Sequence, residues 1–399
     1  MKGLPPGIFL VLFLCAFASM LGIGIIAPIL PFYAQKLGAS GIWIGIIFSG
    51  YSLTRVAFLP IVGRISDRKG RKVFIVWGLF LYAAVSLLYI LARSVVDLSI
   101  IRMIHGASSA MILPVVQAYV GDLTPRGKEG LYINTFNVSA FLGMGFGPLL
   151  GGALTHAYGI ASAFYALCGV STLGMILAIW LIPVRSQIRG LIIPDKKRAS
   201  FRQMLADNRI LAICAYRASR ALWRRGIIAF LPLYAVPYLH MSLAEIGVLL
   251  SVYLLFGGLI EGAIGWIADR VRKMPMILVG SFAAPFLMAF IPLVKYPFLL
   301  AVLLVAMAGL SSVSRVAVQA LGLQIGRNYG MGSVMGLYSS AMSLGGIIGP
   351  LVFGIIMDLY GVKSVYFAGS LMGILGSFWM LYYFRSARHQ VGFSPDTHT

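Results

Sequence analysis

Long apolar runs dominate the chain, and short polar breaks rich in Lys, Arg, Gly and Pro separate them. A helix that crosses a bilayer needs about 20 mostly apolar residues, because lipid offers no partner for unpaired backbone groups. We therefore predict an all-α membrane protein. Division at the polar breaks predicts twelve membrane helices, which run over residues 8–33, 42–64, 73–92, 97–120, 131–156, 160–183, 210–238, 243–267, 274–293, 296–322, 333–358 and 363–384.

Composition agrees with this pattern and excludes several classes of protein. Of the 399 residues, 60% are apolar and 11% are charged, and the mean hydropathy is +0.92. Soluble proteins carry about 25% charged residues, so a soluble enzyme and a disordered chain are excluded. Cysteines stand singly in apolar runs without metal-ligand spacing, so we expect no disulfide framework, metal or cofactor.

The first apolar run has two interpretations. Lys2, the apolar run that follows it and the tripeptide Ala16-Phe17-Ala18 resemble a cleavable signal peptide. The apolar run continues past this site to Pro31, and the even number of predicted helices depends on it. We therefore interpret it as the first membrane helix.

The excess of positive charge is explained by topology. The chain has 32 Lys and Arg against 11 Asp and Glu, a formal net charge of +21. Lys and Arg accumulate in cytoplasmic loops of membrane proteins. Most of those outside the predicted helices fall on one side, and the other side holds Lys36, Arg93, Lys295 and Lys363. We therefore predict a multi-pass protein of the inner or plasma membrane, with both termini cytoplasmic and no nucleic-acid partner.

The two halves of the chain repeat each other at a shift of 202 residues. This shift superimposes residues 63–72 on 265–274, Gln117-Ala118 on Gln319-Ala320, Gly143 on Gly345, and Gly147-Pro148 on Gly349-Pro350. Duplicated bundles of six helices are one plan of secondary transporters, with the substrate near the midplane. The predicted domains are a bundle at 1–184, a cytoplasmic linker at 185–208, a second bundle at 209–384 and a cytoplasmic tail at 385–399.

Three motifs carry a resemblance to a known family. They are the loop Gly63-x-x-x-Asp67-Arg68-x-Gly70-Arg71-Lys72, the fifth-helix run Gly143-x-x-x-Gly147-Pro148-x-x-Gly151-Gly152, and the fourth-helix run Leu98-x-x-x-Arg102-x-x-His105-Gly106, with His105 where the family usually has Gln. The chain resembles the major facilitator superfamily over its whole length, and in particular the drug:proton antiporter branch. The resemblance implies two six-helix bundles, alternating access and multidrug efflux, and no enzymatic activity.

The loop motif is expected to act as a conformational latch. An aspartate can sit against the positive end of a helix, and the resemblance implies that the partner of Asp67 is the eleventh helix. The alternative is a basic topology loop with a helix cap. The expected latch residues are Gly63, Asp67, Arg68, Gly70, Arg71 and Asp122, with Asp269 and Arg270 in the second half.

The fifth-helix motif is expected to control leakage. Small residues let membrane helices approach closely, and the resemblance associates this motif with antiport. The alternative is ordinary helix packing. The motif residues are Gly143, Gly147, Pro148, Gly151 and Gly152.

Arginines inside the predicted helices suggest an anion-binding cavity. Each costs about 2.5–3.5 kcal/mol at the centre of a bilayer on insertion scales, so they are not expected to face lipid together. The alternatives are snorkelling toward the cytoplasmic headgroups and a seventh helix that begins later. Arg225 is one of these embedded arginines, and the predicted substrate-binding set is Arg55, Arg102, Arg217, Arg220, Arg224 and Arg315.

Two residues are candidates for proton coupling. Glu261 is a carboxylate inside a predicted helix, although it could instead pair with Arg270 or Arg272. His105 could titrate near neutral pH, although a lone histidine is more often a packed polar residue.

These observations predict a secondary transporter that exports an amphipathic, anionic small molecule by proton antiport. Its expected partners are membrane lipids, the substrate and protons, and we expect a monomer. One alternative is a flippase for anionic lipid or lysolipid with the same fold. Another, of a different class, is a membrane sensor that binds its ligand without transporting it.

Overall fold

The computed structural model describes residues 6–124, 129–183, 201–268, 271–329 and 331–391. All regular elements in these segments are helical, and no strand occurs among them. The helices are α1 (Pro6–Lys36), α2 (Gly41–Lys69), α3 (Arg71–Leu91), α4 (Val95–Leu123), α5 (Glu129–Tyr158), α6 (Ile160–Leu181), the short α7 (Phe201–Leu205), α8 (Asn208–Leu239), α9 (Leu243–Ala268), α10 (Lys273–Met288), α11 (Pro297–Tyr329), α12 (Met331–Tyr360) and α13 (Val362–Val391).

The twelve long helices correspond one to one with the predicted membrane helices. Eleven helices of the described segments are long and apolar enough to cross a membrane, and α8 is not among them. Arginines at positions 217, 220, 224 and 225 interrupt its apolar character. The predicted all-α membrane fold is confirmed.

Some predicted ends are wrong. The segment 274–293 is not one helix, because α10 ends at Met288 and a 3-10 turn follows at Ile291–Leu293. Pro292 lies in that turn, and its ring would clash with a carbonyl of a continued α-helix. Helices α11 and α13 run seven residues beyond the predicted ends at 322 and 384. The apolar part of a helix matches the thickness of the bilayer, but the helix itself can continue beyond the bilayer into polar surroundings. Apolar runs therefore predict where a helix leaves the membrane and not where it ends.

Local signals in the sequence explain where several helices begin. Ser94 caps α4, because its Oγ accepts from the Asp97 N–H at 3.1 Å and its own N–H donates to Asp97 Oδ2 at 2.9 Å. Ser242 and Glu245 make the same reciprocal pair at the start of α9. Such capping boxes satisfy backbone donors that a helix start would otherwise leave unpaired.

Matching turns join the last two helices of each half. Gly159 links α5 to α6 and Gly361 links α12 to α13, both with φ of +83°. Glycine adopts this left-handed conformation without the steric cost that other residues pay. The two glycines are 202 residues apart, so the predicted repeat extends to the backbone conformation of the turns.

The chain folds into two compact units. The first unit comprises residues 1–192 with 240–251, and the second comprises 193–239 with 252–399. In the first unit α1 packs on α5 and α6, and α3 packs on α4 and α6. In the second unit α8 packs on α12 and α13, and α10 packs on α11 and α13. The same packing plan is therefore used twice.

Large apolar side chains are exposed along the helices, as expected for surfaces that face lipid. Trp180, Phe298, Tyr158 and Tyr360 are each at least 75% exposed. Trp and Tyr are enriched where the apolar core of a bilayer meets its headgroups. These side chains are therefore suited to anchoring helix ends at that boundary.

Candidate functional site

Three arginines occupy one face of α8 in the second unit. Arg217, Arg220 and Arg224 are spaced three and four residues apart, which aligns their side chains on a helix. Arg220 Nε donates to Ser311 Oγ on α11 at 2.9 Å. Arg217 lies over the ring of Tyr338, with its Cζ 5.3 Å from the ring centroid.

A fourth arginine faces this group from α11. Arg315 forms an ion pair with Glu261 of α9, and their side chains are 42% and 17% exposed. Ser312 Oγ donates to the Gly257 carbonyl at 2.7 Å and lies 3.4 Å from Glu261 Oε1. Ser312 therefore ties α11 to α9 beside the ion pair.

We call Arg217, Arg220, Arg224, Arg315 and Glu261 the arginine cluster. Arg315 lies within electrostatic reach of all three arginines of α8, and Arg224 lies beside the Tyr253 hydroxyl. Four guanidinium groups and one carboxylate leave three positive charges without an acidic partner inside the cluster. Guanidinium groups donate in a planar fork that matches carboxylates and phosphates. The cluster is therefore suited to binding an anion.

A small polar cavity lies next to Arg220. Its volume is about 10 Å³, and its lining includes Tyr216, Arg220, Ser281, Ser311, Ser314 and Ser377. A volume of about 10–15 Å³ holds one water molecule. The cavity is therefore too small for an amphipathic substrate, which would have to approach the cluster from elsewhere.

The first unit has a closed aromatic cluster around Arg102 and His105. Arg102 is 2% exposed and His105 is fully buried. The Arg102 Cζ lies 4.5 Å from the centre of the Tyr51 ring. The rings of Tyr51, Tyr82 and Tyr89 meet the imidazole edge to face, with centroids 4.3–5.9 Å away. These contacts surround Arg102 and His105 with aromatic faces.

The hydrogen bonds of His105 indicate its protonation state. Its Nδ1 lies 3.3 Å from an Arg102 terminal nitrogen and 3.1 Å from the Tyr89 hydroxyl. A guanidinium donates and never accepts, so Nδ1 acts as an acceptor and the proton belongs on Nε2. Nδ1 is therefore occupied in this geometry, and a role of His105 in proton coupling stays a prediction.

Arg55 also belongs to the first unit, on α2. Its Nε is buried and has no hydrogen-bond partner among the described residues. The structure thus brings together four of the six predicted substrate-binding arginines, and it places Arg55 and Arg102 in the other unit. Their role in substrate binding stays a prediction.

The predicted latch loop forms a tight turn between α2 and α3. Gly70 has a φ of +99°, and its N–H donates to the Ser66 carbonyl at 3.0 Å. Arg71 pairs with Asp67 at 3.0 Å across this turn. The Asp122 side chain, Asp269 and Arg270 lie outside what the structure describes, so their assignment stays a prediction.

The fifth-helix motif packs on two different helices. A Cβ at Gly147 would lie 2.5 Å from Gly24 Cα of α1, and Gly143 and Gly151 also contact the α1 backbone. Gly152 instead faces Leu243 and Gly247 of α9 within the first unit. Its glycines therefore permit backbone contact on both sides of α5.

A proline in the same motif creates a further link to α9. Pro148 has no N–H and therefore interrupts the helical hydrogen bonding of α5. The N–H of the next residue, Leu149, donates to Ser251 Oγ of α9 at 2.8 Å. Ser251 thus stabilises α5 at its proline.

Comparison with known proteins identifies the family. A sequence profile described as Major Facilitator Superfamily matches residues 12–350, and it matches again over residues 210–398. The chain belongs to the major facilitator superfamily.

Its relatives within this superfamily are membrane transporters. The chain is 31% identical over 375 residues to an uncharacterized transporter of Methanocaldococcus jannaschii, covering 92% of this chain and 95% of that one. It is 26% identical to multidrug resistance protein 1 of Bacillus subtilis, covering 90% and 92%. Its fold resembles an inward-facing bacterial homologue of the human lysosomal transporter Spinster, with a TM-score of 0.78, 14% identity, and coverage of 100% and 99%.

Membership of the major facilitator superfamily confirms the predicted family and transporter class. The chain is therefore a multi-pass membrane transporter and not an enzyme. The sequence leaves Arg270 and Arg272 as possible partners of Glu261, whereas the structure pairs Glu261 with Arg315 of α11. A helix residue reaches neighbours three or four positions away, and the face of α11 that meets Glu261 is set by tertiary packing.

Several polar partners of this major facilitator site were also missed. On α11, Ser311 contacts Arg220 and Ser312 contacts Glu261. Tyr253 lies beside Arg224, and Tyr338 lies beside Arg217. The serine-rich run that precedes Arg315 was a signal in the sequence that could have pointed to them.

Proposed function

We propose that this transporter exports an amphipathic anion across the cell membrane by proton-coupled alternating access. The arginine cluster is the observation that carries the proposal. Four guanidinium groups with one carboxylate would repel a lipophilic cation and offer forked hydrogen bonds to an anion. Export as the direction is supported by the multidrug resistance relatives.

Proton coupling is the second part of the proposal. Glu261 is a carboxylate within a membrane helix, and such groups commonly mark ion pathways. The glycine motif of α5, which resembles that of drug:proton antiporters, favours antiport. Glu261→Gln is expected to uncouple substrate movement from proton movement in inverted vesicles. Proton coupling retained in this variant would direct attention to His105.

The proposed orientation has both termini in the cytoplasm. It is supported by the concentration of Lys and Arg in the loops of one side. A green fluorescent protein fused to the C-terminus is expected to fluoresce, since it folds in the bacterial cytoplasm and not after export. A dark fusion of normal abundance would contradict this orientation.

Transport assays in proteoliposomes test the substrate class. We would measure counterflow of two probes with the same ring system, pyrene-1-sulfonate and the cation (1-pyrenylmethyl)trimethylammonium. The anion is expected to exchange and the cation is not. A lysophosphatidylglycerol arm separates the lipid flippase from a small-molecule exporter, because a flippase would move this lipid and not the sulfonate.

Two substitutions at one position separate charge from geometry. Arg220→Lys keeps the charge but loses the fork, so anion affinity should fall while anion preference persists. Arg220→Gln should weaken both. Arg93→Gln is the matched control, because Arg93 is exposed and lies outside the cluster. Tighter binding of the cation, unchanged by Arg220→Gln, would contradict the proposed function.

A further inference from the structure

Glu261 offers Arg315 the same kind of charged oxygen group that a substrate anion would offer. It is paired with Arg315, which lies within electrostatic reach of the arginines of α8. A carboxylate on Arg315 satisfies the same donors that a substrate carboxylate, sulfonate or phosphate would use. The site is therefore filled by a side chain before any substrate arrives.

We propose that Glu261 is an internal counter-anion that the substrate must displace from Arg315, so that a proton and the anion bind to the transporter together. This inference rests on the proposed function, because it requires the arginine cluster to be the anion site. It goes further by stating whether a bound proton strengthens or weakens substrate binding, which we call the sign of the linkage.

The charges around Glu261 determine that sign. Arg315 of α11 is paired with Glu261. The groups of α8 that face this pair are Arg217, Arg220, Arg224 and Tyr216. On α9 itself, Tyr253 lies beside Arg224. Arginines stay charged and tyrosines stay neutral between pH 5 and pH 8. Glu261 is the carboxylate among them, and it can take up a proton once an anion has displaced it from Arg315.

Protonation of Glu261 has two effects on an incoming anion. It raises the net charge of the arginine cluster from three positive charges to four, and it releases the guanidinium fork of Arg315. Both effects strengthen anion binding. Linkage is reciprocal, so a bound anion must favour protonation of Glu261 by the same factor.

This sign has a consequence for transport. Antiport requires the proton and the substrate to exclude one another, whereas displacement of Glu261 makes them bind together. A proton on Glu261 therefore travels with the anion. Glu261 therefore cannot also be the carrier of an exchanged proton, and the two roles differ in sign: an antiport carrier would weaken sulfonate binding at pH 5 relative to pH 8, whereas displacement strengthens it.

The test measures equilibrium binding to the full-length protein in nanodiscs of neutral phosphatidylcholine, between pH 5 and pH 8. The probe is pyrene-1-sulfonate, and the quaternary pyrene ammonium is its counterpart, because neither titrates in this range. Protein-free nanodiscs correct for partitioning into lipid. Glu245→Gln is the matched control, since Glu245 caps the start of the same helix and belongs to the first unit.

We expect wild type and Glu245→Gln to bind the sulfonate on the order of tenfold more tightly at pH 5 than at pH 8. Glu261→Gln is expected to bind it tightly at every pH, as wild type does at pH 5. Arg315→Gln is expected to bind the sulfonate weakly at every pH, because this variant lacks the guanidinium group for which Glu261 and the anion compete.

The outcomes separate this inference from the proposed function. If wild type prefers the sulfonate but its affinity does not change with pH, the anion site stands and displacement of Glu261 is wrong. A Glu261→Gln variant that binds more weakly than wild type overturns the inference in the same way. Preference for the cation overturns the proposed function and the inference together. Should Glu261→Gln fail to fold, the pH series of wild type still decides the question.

Discussion

The two units share a packing plan but differ in their polar chemistry. Tyr51 and Ser109 of the first unit stand 202 residues before Tyr253 and Ser311 of the second. In the first unit Tyr51, one of the rings of the closed aromatic cluster, donates to Ser109 Oγ at 2.8 Å. In the second unit the matched serine accepts from Arg220 at 2.9 Å. Equivalent positions therefore support a sealed cluster in one unit and charged donors in the other.

The charged residues themselves are not shared between the units. Arg102 and His105 correspond to Leu304 and Met307, whereas Arg220 corresponds to Ala18. The Arg102 residue is 2% exposed, while the Arg315 side chain is 42% exposed. After duplication, helix packing was retained and ionisable groups were exchanged. Arg102 is therefore enclosed by the first unit, whereas Arg315 of the second unit is accessible, as the proposed anion site requires.

The largest expected effect tests the shared packing. Gly147→Ala should destabilise the protein by about 1–3 kcal/mol, because its Cβ would overlap the backbone of Gly24. Gly349→Ala should cost less, since its nearest contact, the Leu222 carbonyl, would be 2.8 Å away. Thermal melting monitored by size-exclusion chromatography measures both.

Gly169→Ala is the matched control for these variants. Nothing lies within 4 Å of a Cβ at this position of α6, and alanine favours helix by up to about 1 kcal/mol over glycine. The control should therefore melt at or above the wild-type temperature. Equal melting of Gly147→Ala and Gly169→Ala would contradict the close approach of α1 and α5.

The next prediction compares Arg102, which is expected to stabilise the fold, with Arg220, which is expected to bind the anion. Arg102→Ala should lower stability by about 1–2 kcal/mol, because it removes a buried cation from the Tyr51 ring. Arg220→Ala should lower affinity for pyrene-1-sulfonate about tenfold, since it removes a forked donor. Melting and binding would be measured on both proteins. If Arg102→Ala impaired anion binding as strongly as Arg220→Ala does, the proposed contrast between the units would fail.

The loop motif of the first unit offers a smaller effect. Asp67→Asn should change stability by less than about 1 kcal/mol, because Asp67 is 60% exposed where it pairs with Arg71. Transport should nevertheless fall if Asp67 acts as a latch. Lys69→Gln removes a charge from the same loop and serves as the control. Normal transport by Asp67→Asn would refute the latch, and loss of insertion would indicate a role in topology.

The smallest expected effect concerns a contact of the second unit outside the membrane spans. Burial opposes the ionisation of Asp207, but hydrogen bonds from the side chain and N–H of Arg209 and from the Tyr329 hydroxyl, at 2.9 Å, hold its pKa below the usual value. A lowered pKa stabilises the fold above about pH 4, and the stabilisation is lost as the pH falls through the folded-state value. Wild type should therefore lose melting temperature below pH 4, and Asp207→Asn should lose less. Identical acid profiles would exclude this contribution.

The sequence predicted the helices and the repeat well, because both depend on local or repeated patterns. Apolar runs located all twelve long helices, and the turns that the structure shows at Gly159 and Gly361 obey the shift of 202 residues predicted from other positions. Helix ends were less accurate where, as in α13, a helix continues beyond its apolar part.

The site was predicted only in part, because its geometry depends on contacts between helices. Spacing along α8 placed Arg217, Arg220 and Arg224 on one face. It could not show that Arg315 pairs with Glu261, since this pair depends on the rotation of α11 against α9. Nor could it show that aromatic rings enclose Arg102.

The arginines of α8 also have a consequence for biosynthesis. Each costs about 2.5–3.5 kcal/mol to insert, and only 14 residues, 226–239, follow Arg225 within the helix. Helix α8 is therefore a poor substrate for the translocon when it emerges from the ribosome. Its main packing partners, α12 and α13, are synthesised last. Stable integration of α8 must accordingly wait until translation is nearly complete, and chains truncated before α12 should leave it accessible to protease.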